Sequence, residues 1–334
     1  MNPKEWLALK KEGLYCVPGD FFIDPVIPVN KAIITHAHSD HARFGHNQVL
    51  AQKSTIEIMK LRYGDECASQ MQGLDYEERI TVNGTCCYLL PAGHILGSAQ
   101  LVIEYEGSRV IISGDYKRAF DPTCEAFKAE HCDLFITEAT FALPVFKHPP
   151  IEWEINKLLA SLKAFPHRCH LVGVYALGKC QRVIKTLRVM GYDEPLFIHG
   201  ALKKLCDYYT SKGIDLGDIR MASSLDLKNS QGKIVFCPPG ALHDRWSRRF
   251  ANVKVSLASG WMQIRARAKQ KGVELPLIIS DHADWSELAE TIKEVNPKEV
   301  WVTHGREDAL IHHLNQQGYP AKALHLLGYE DHED

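Results

Sequence analysis

Apolar residues in the first part of this chain come in short runs, each closed by a turn residue, a carboxylate or a histidine. Phe21-Phe22-Ile23 runs into Asp24-Pro25, Lys31-Ala32-Ile33-Ile34-Thr35 ends at His36, and Cys87-Tyr88-Leu89-Leu90 ends in Pro91-Ala92-Gly93. Runs this short, bounded by turn signals, predict strands. Leu101 to Tyr105 and Arg109 to Ser113 flank Glu106-Gly107, the pattern of a hairpin. Leu134-Phe135-Ile136-Thr137 predicts a further strand closing at Glu138, and Ser54 to Arg62 carries helical spacing.

The texture changes at Val145-Phe146-Lys147-His148-Pro149-Pro150, which predicts a linker. Beyond it helices and strands alternate. Helical spacing covers Glu152 to Ala164, Lys179 to Met190 and Ala201 to Thr210. Strand runs cover Leu171 to Tyr175, Leu196 to Ile198, Lys233 to Cys237 and Val253 to Leu257. Such alternation predicts a parallel α/β layer. The last stretch returns to strands that end at histidine. Leu277-Ile278-Ile279-Ser280 runs to Asp281-His282, and Glu299 to Thr303 runs to His304, with a helix over Ser286 to Val295 between them. The chain therefore divides into 1–150, an inserted α/β domain over 151–274, and a C-terminal part, 275–334, that rejoins the first.

Composition narrows the class. The 334 residues suit two domains, or one domain with a large insertion, and 45% hydrophobic with 24% charged residues is globular. No apolar run reaches the roughly 18 residues of a membrane span. The N-terminus lacks a signal-peptide core, so a cytoplasmic protein is expected. None of the ten cysteines lies in a Cys-x-x-Cys pair, which excludes a zinc-finger or disulfide framework and fits reduced, buried thiols. A net charge of -2 gives no bulk attraction to phosphate, so any such attraction must come from local patches or bound metal.

The 17 histidines are clustered. His36-Ala37-His38-Ser39-Asp40-His41 places four potential ligands directly after a strand, where a rigid start aims the loop's side chains into one pocket. His94 follows Gly93, Asp115 follows Ser113-Gly114, and His304 sits in Thr303-His304-Gly305, each at a predicted strand end. Imidazole nitrogens with carboxylate oxygens suit zinc, and also manganese or iron.

His36-x-His38-x-Asp40-His41, followed by His94, Asp115 and a late histidine, resembles the metallo-β-lactamase superfamily. The resemblance implies a metallo-β-lactamase αβ/βα sandwich with two divalent ions, zinc expected and manganese the alternative, at one sheet edge. His36, His38 and His94 would hold one ion, Asp40, His41 and His304 the other, and Asp115 would bridge them. Asp24 would orient a ligand imidazole from behind.

The inserted α/β segment, Glu138 and His282 are similar to the added features of the β-CASP nuclease branch. That branch includes the messenger-RNA 3′-end endonuclease, ribonuclease J and Artemis-type DNA nucleases. The compact length and the Gly19-Asp20-Phe21-Phe22-Ile23-Asp24-Pro25 opening look most like bacterial ligase-associated DNA exonucleases. That likeness implies 3′-to-5′ action on DNA in repair, beside a DNA ligase and a helicase. Asp40 and Asp115 would position the attacking water, His282 would protonate the leaving oxygen, and Glu138 would hold His282. An RNA-processing ribonuclease and a small-molecule hydrolase, such as a thioesterase or lactonase, are the alternatives.

Nucleic-acid contacts are expected from the inserted domain. Lys179 opens a helix in Ala176-Leu177-Gly178-Lys179, where free N–H groups attract phosphate. Ser259, Gly260 and Trp261 resemble the branch's Ser-Ser-Gly loop. Arg245, Arg248, Arg249, Arg265 and Arg267 form two basic stretches that could track a sugar-phosphate backbone, with Trp246 or Trp261 stacking a base.

Overall fold

The structure is a computed structural model and describes residues 2–325. The strands are β1 (Leu7–Lys10), β2 (Gly13–Cys16), β3 (Phe21–Ile23), β4 (Lys31–Ile34) and β5 (His46–Gln52). Helix α1 (Lys53–Tyr63) follows, then β6 (Ala68–Leu74), β7 (Ile80–Val82), β8 (Thr85–Pro91), β9 (Ala99–Tyr105), β10 (Ser108–Ile112) and β11 (Leu134–Ala139). The middle of the chain runs α2 (Ile151–Ala164), β12 (Cys169–Gly173), α3 (Lys179–Val189), β13 (Leu196–Ile198), α4 (Gly200–Ser211), β14 (Ile219–Met221), β15 (Ile234–Cys237), β16 (Val253–Ala258), α5 (Arg265–Gln270) and β17 (Leu275–Leu277). It closes with α6 (Trp285–Val295), β18 (Glu299–Gly305), α7 (Glu307–Gln316) and β19 (Ala321–Ala323).

Two compact units result: one takes the chain up to Lys147 and again from His282, the other runs from His148 to Asp281. The first unit holds two sheets, ordered β1-β2-β3-β4-β5-β6 and β19-β18-β11-β10-β9-β8-β7. Period-two alternation decides which layer each residue joins. Ile33, Leu50, Leu101, Ile103, Val110 and Ile112 point between the sheets into one shared core. Their neighbours Ala32, Ile34, Val49 and Ala51 face outward onto Ile56 and Met59 of α1. On the other side Val102, Ile111, Val300 and Val302 pack on Leu288 and Ile292 of α6 and Leu310 and Leu314 of α7. The layers run helix, sheet, sheet, helix, the αβ/βα order that the ligand pattern implies.

β10, β11 and β18 are parallel neighbours, so their C-terminal ends share one edge of the second sheet. β8 runs in the same direction, being antiparallel to β9, which is antiparallel to β10. The residues after β8, β10, β11 and β18 are therefore delivered to one place, as parallel-strand topologies deliver functional loops. Leu134–Thr137 and the Glu106-Gly107 hairpin lie where the pattern puts them.

The second unit is one sheet, ordered β14-β13-β15-β12-β16-β17, with every pair parallel. The strand expected over Leu277 to Ser280 forms earlier, at Leu275–Leu277, and pairs with β16. Residues 275–281 thus pack with this unit, and the break falls after Asp281 rather than before residue 275. Among the described residues no helix is long and apolar enough to cross a membrane.

His170 on β12 is fully buried and bonded to Ser161 Oγ at 2.9 Å. Burial, seconded by Lys254, pushes its pKa down to about 4. The unfolded chain takes this proton near pH 6.5 while the folded one resists it, so stability is present above that pH and is lost as pH falls toward 4. Denaturant midpoints measured between pH 7 and 4.5 should fall with a contribution of up to about 1.4 kcal/mol per pH unit. A His170→Asn variant should lack that contribution.

Candidate metal centre

β3 and β4 are parallel neighbours, and this pairing sets Asp24 beside Thr35 at their ends. Asp24, at φ 42°, accepts from the Thr35 backbone N–H (2.7 Å) and the Thr35 hydroxyl (2.6 Å), and meets His41 Nδ1 at 2.8 Å. Having given its proton to Asp24, the Thr35 oxygen can accept from His36 Nδ1, 3.1 Å away. Hydrogen bonds from Ala42 N and His41 N to His38 O coil the loop between them into a turn. Each Nδ1 is thereby occupied as a donor, which leaves Nε2 of His36 and of His41 as the nitrogen that can bind a cation. Thr35 was not singled out from the sequence, although its position between a strand and His36 carried a signal. A Thr35→Val variant should lose 10–100-fold in metal affinity, the usual effect of removing a group that orients a ligand. Competition with a fluorescent zinc chelator measures this.

Asp115 joins the two halves of the site. Its Oδ2 lies 3.4 Å from His36 Nε2 and 3.7 Å from His94 Nε2. Its Oδ1 lies 3.5 Å from His41 Nε2 and 3.9 Å from His304 Nε2. His38 Nδ1 is 3.0 Å from His94 Nε2, and Asp40 Oδ2 is 3.8 Å from His41 Nε2. Ligand atoms of His36, His38, His94 and Asp115 all fall within 4.8 Å of one another, and so do those of Asp40, His41 and His304. The sequence-predicted ligands thus converge in two groups. Two glycines permit the approach. A Cβ on Gly114, at φ +54°, would stand 2.8 Å from the Thr35 side chain. One on Gly305 would stand 2.3 Å from Ala139 O, next to His304, which itself holds φ 59°. Left-handed backbone at His304 and Asp24 is strain of the kind that collects at functional sites.

The donor chemistry fits cations. His36 Nε2 and Asp115 Oδ1 are buried and make no hydrogen bond among the described residues. Burial, with His41 and His94 nearby, holds His36 well below its ordinary pKa, so its lone pair is available. Burial would raise Asp115, yet His41, His304 and His282 hold it ionised. Burial would lower His41, yet Asp115, Asp40 and Asp24 push it up to about 10. Carboxylates crowded this deeply need positive charge, and nitrogen with oxygen donors suits zinc or manganese.

Beside this centre, Glu138 at the end of β11 is 1% exposed. It accepts from the Tyr116 backbone N–H (2.7 Å) and the Thr140 hydroxyl (2.6 Å), and its Oε2 meets His282 Nδ1 at 2.9 Å. His282 Nδ1 also lies 4.0 Å from Asp115 Oδ2, and the ring contacts His94 with centroids 4.7 Å apart. Thr140 is a second residue missed from the sequence.

The second unit treats the expected nucleic-acid contacts unevenly. Lys179 is not a solvated helix-end cation. It is buried, with Nζ 3.1 Å from Asp281 Oδ2, and the helix start is closed by Gln181 Oε1, which accepts from Gly178 N at 2.9 Å. Arg182, one turn on, also reaches Asp281 and donates to Ser280 O. Arg245, Arg248 and Arg265 are exposed. Arg249 lies 4.9 Å from the Trp246 ring and Arg267 covers the Trp261 ring at 4.0 Å, so that face of Trp261 is not open to a base. Ser259 and Gly260 are buried, with Ser259 Oγ capping Trp261 N at 3.3 Å.

Facing sheets between helices, with a histidine–aspartate cluster at their strand ends, have the arrangement of the metallo-β-lactamase fold. Residues 276–318 match the family described as "Zn-dependent metallo-hydrolase RNA specificity domain". The chain is 28% identical over 331 residues to a "Probable DNA ligase" of Opitutus terrae, covering 96% of this chain and 31% of that protein. It is 22% identical to cleavage and polyadenylation specificity factor subunit 3-I of Arabidopsis thaliana, covering 90% and 54%. It is 31% identical over 147 residues to the Gibberella zeae endoribonuclease YSH1, covering 42% and 17%. The chain thus spans between a sixth and about half of these relatives. A crystal structure of a protein of unknown function from Enterococcus faecalis shares the fold, with a TM-score of 0.60, 15% identity, and 90% and 80% of the two chains covered. In sequence the chain is thus similar to a zinc-dependent metallo-hydrolase domain, to a ligase-named protein and to RNA 3′-end-processing proteins of the β-CASP type.

Proposed function

We propose that this protein is a metal-dependent nuclease that hydrolyses DNA phosphodiesters from the 3′ end. The observation that carries the reading is the Glu138–His282 pair set against Asp115, because a proton donor beside a cation centre is what a poor alkoxide leaving group requires. His36, His38 and His94 would hold one ion, Asp40, His41 and His304 the other, with Asp115 reaching both. Two divalent ions there would supply Lewis-acid stabilisation of phosphoryl oxygens and a water acidic enough to attack at neutral pH.

The protein's own groups do the rest. Asp115 and Asp40 orient the attacking water. Asp40 suits this because its carboxylate is 33% exposed, against 3% for Asp115. His282, with 20% of its side chain exposed, reaches solvent from the same place. Its Nδ1 is engaged by Glu138, so the proton for the leaving oxygen comes from Nε2. Glu138 favours the protonated ring and fixes its orientation.

The ligase-named relative, which matches nearly the whole chain, supports DNA as the substrate and work beside a DNA ligase. A second reading, an RNA-processing nuclease, has its own support in the "RNA specificity" family match and the endoribonuclease relatives. End-labelled single-stranded DNA and RNA, incubated with zinc or manganese and resolved by length, separate the two. The first reading expects 5′-labelled DNA to shorten stepwise. Preferred cutting of RNA supports the second, and a metal-loaded protein inert on both polymers returns the site to small-molecule esters.

A further inference from the structure

Four side chains next to the ligand loop have no role in the chemistry above. Phe44, three residues after His41, is 62% exposed. Its ring meets that of Tyr63, at the end of α1, with centroids 5.7 Å apart and planes tilted by 42°. The Arg62 guanidinium lies 5.1 Å from the Tyr63 ring and also donates to Ala37 O, inside the ligand loop itself. Arg43 is half-buried, and its Nε makes no hydrogen bond among the described residues. Arg62, Arg43 and Asp40 all lie close enough to the Tyr63 hydroxyl to act on it electrostatically. Arg62 donates into the ligand loop at Ala37, and Arg43 follows His41 by two residues, so the patch adjoins the loop that carries Asp40.

Exposing a phenylalanine face to water has no benefit for folding, since the ring would gain by burial. Phe120, the other exposed phenylalanine of this unit, stacks on no ring among the described residues. Phe44 is different in combining an open aromatic face, a second ring as backing, and two arginines beside an anion-handling centre. That combination suits a planar π-system attached to a phosphate. Aromatic faces accept any base by stacking, while arginines meet the backbone charge. Three residues of chain span at most about 11 Å, so the ring stands within a short reach of His41.

Resting on the nuclease reading, we infer that Phe44 and Tyr63, flanked by Arg43 and Arg62, form a subsite that stacks one nucleobase of a single-stranded substrate next to the phosphate being cut. Stacking makes the subsite tolerant of sequence and dependent on a base being there at all.

The test uses the full chain loaded with metal, on oligothymidylate and oligouridylate carrying a single abasic residue at successive positions. With the wild-type protein, KM should rise roughly 5- to 100-fold when the abasic residue falls at one particular position near the cut. Phe44→Ala should raise KM on the intact strand by a similar factor, and the abasic residue should then add nothing, because both changes remove the same contact. Phe44→Trp should restore both the low KM and the abasic penalty. A Phe44→Ala protein with wild-type KM on intact strands, or one that keeps the full abasic penalty, overturns the subsite. Wild-type protein that cuts neither polymer overturns the nuclease reading, and the subsite with it.

Discussion

Replacing His282 with alanine should lower turnover on nucleic acid by roughly 10²–10⁴ while leaving metal content intact. His282 lies outside the two groups built on the early histidine loop, but with Asp115 and Glu138 it forms a third cluster able to hold a cation, so bound metal is measured beside turnover. Retained metal with lost turnover assigns it to proton transfer, for which its 2.9 Å bond to Glu138 fits it. The chemistry supplies a sharper signature than the size of the loss. An alkoxide leaving group needs a proton and p-nitrophenolate does not. The His282→Ala penalty should therefore shrink on a p-nitrophenyl ester of a nucleotide. Equal losses on both substrates would assign His282 to binding instead. Glu138→Gln keeps the shape but removes the charge that favours protonated imidazole, and should show the same leaving-group pattern with a smaller loss.

The second large effect is at Asp115. One carboxylate lies within 4 Å of His36, His94, His41 and His304, with a different oxygen toward each pair. An asparagine in its place would be nearly isosteric but would present one oxygen and one N–H₂, so one group of imidazoles would face a donor. Asp115→Asn should lower affinity for at least one ion by more than about 10²-fold, beyond what the loss of an orienting neighbour costs, and should abolish measurable turnover. Thermal melting of the metal-free variant should stay close to that of the metal-free wild type. A variant that kept both its ions and its activity would remove Asp115 from the bridging position.

Much of this convergence was legible along the chain because its side chains sit at strand ends, where short apolar runs stop at His36, Asp115, Glu138 and His304. The alternation past residue 150 likewise announces a parallel sheet. What stayed hidden has physical reasons. β6 reads Ala68-Ser69-Gln70-Met71-Gln72-Gly73-Leu74, and as a sheet edge it needs little apolar surface. Thr35 acts through hydrogen bonds to Asp24, 11 residues back, and Thr140 acts by holding Glu138, whose own partner His282 lies far along the chain. Lys179 followed the rule for a helix start, but a buried Asp281, far along the chain, claims its charge. The break after Asp281 was missed because β17 is only three residues long and contains Pro276.

Counting bound metal tests the central claim most directly. Purified protein dialysed against trace zinc and measured by plasma mass spectrometry should carry about two ions per chain, with His38→Ala and His304→Ala each retaining about one. A wild-type chain that binds no zinc, or one whose metal content is indifferent to both substitutions, would contradict it.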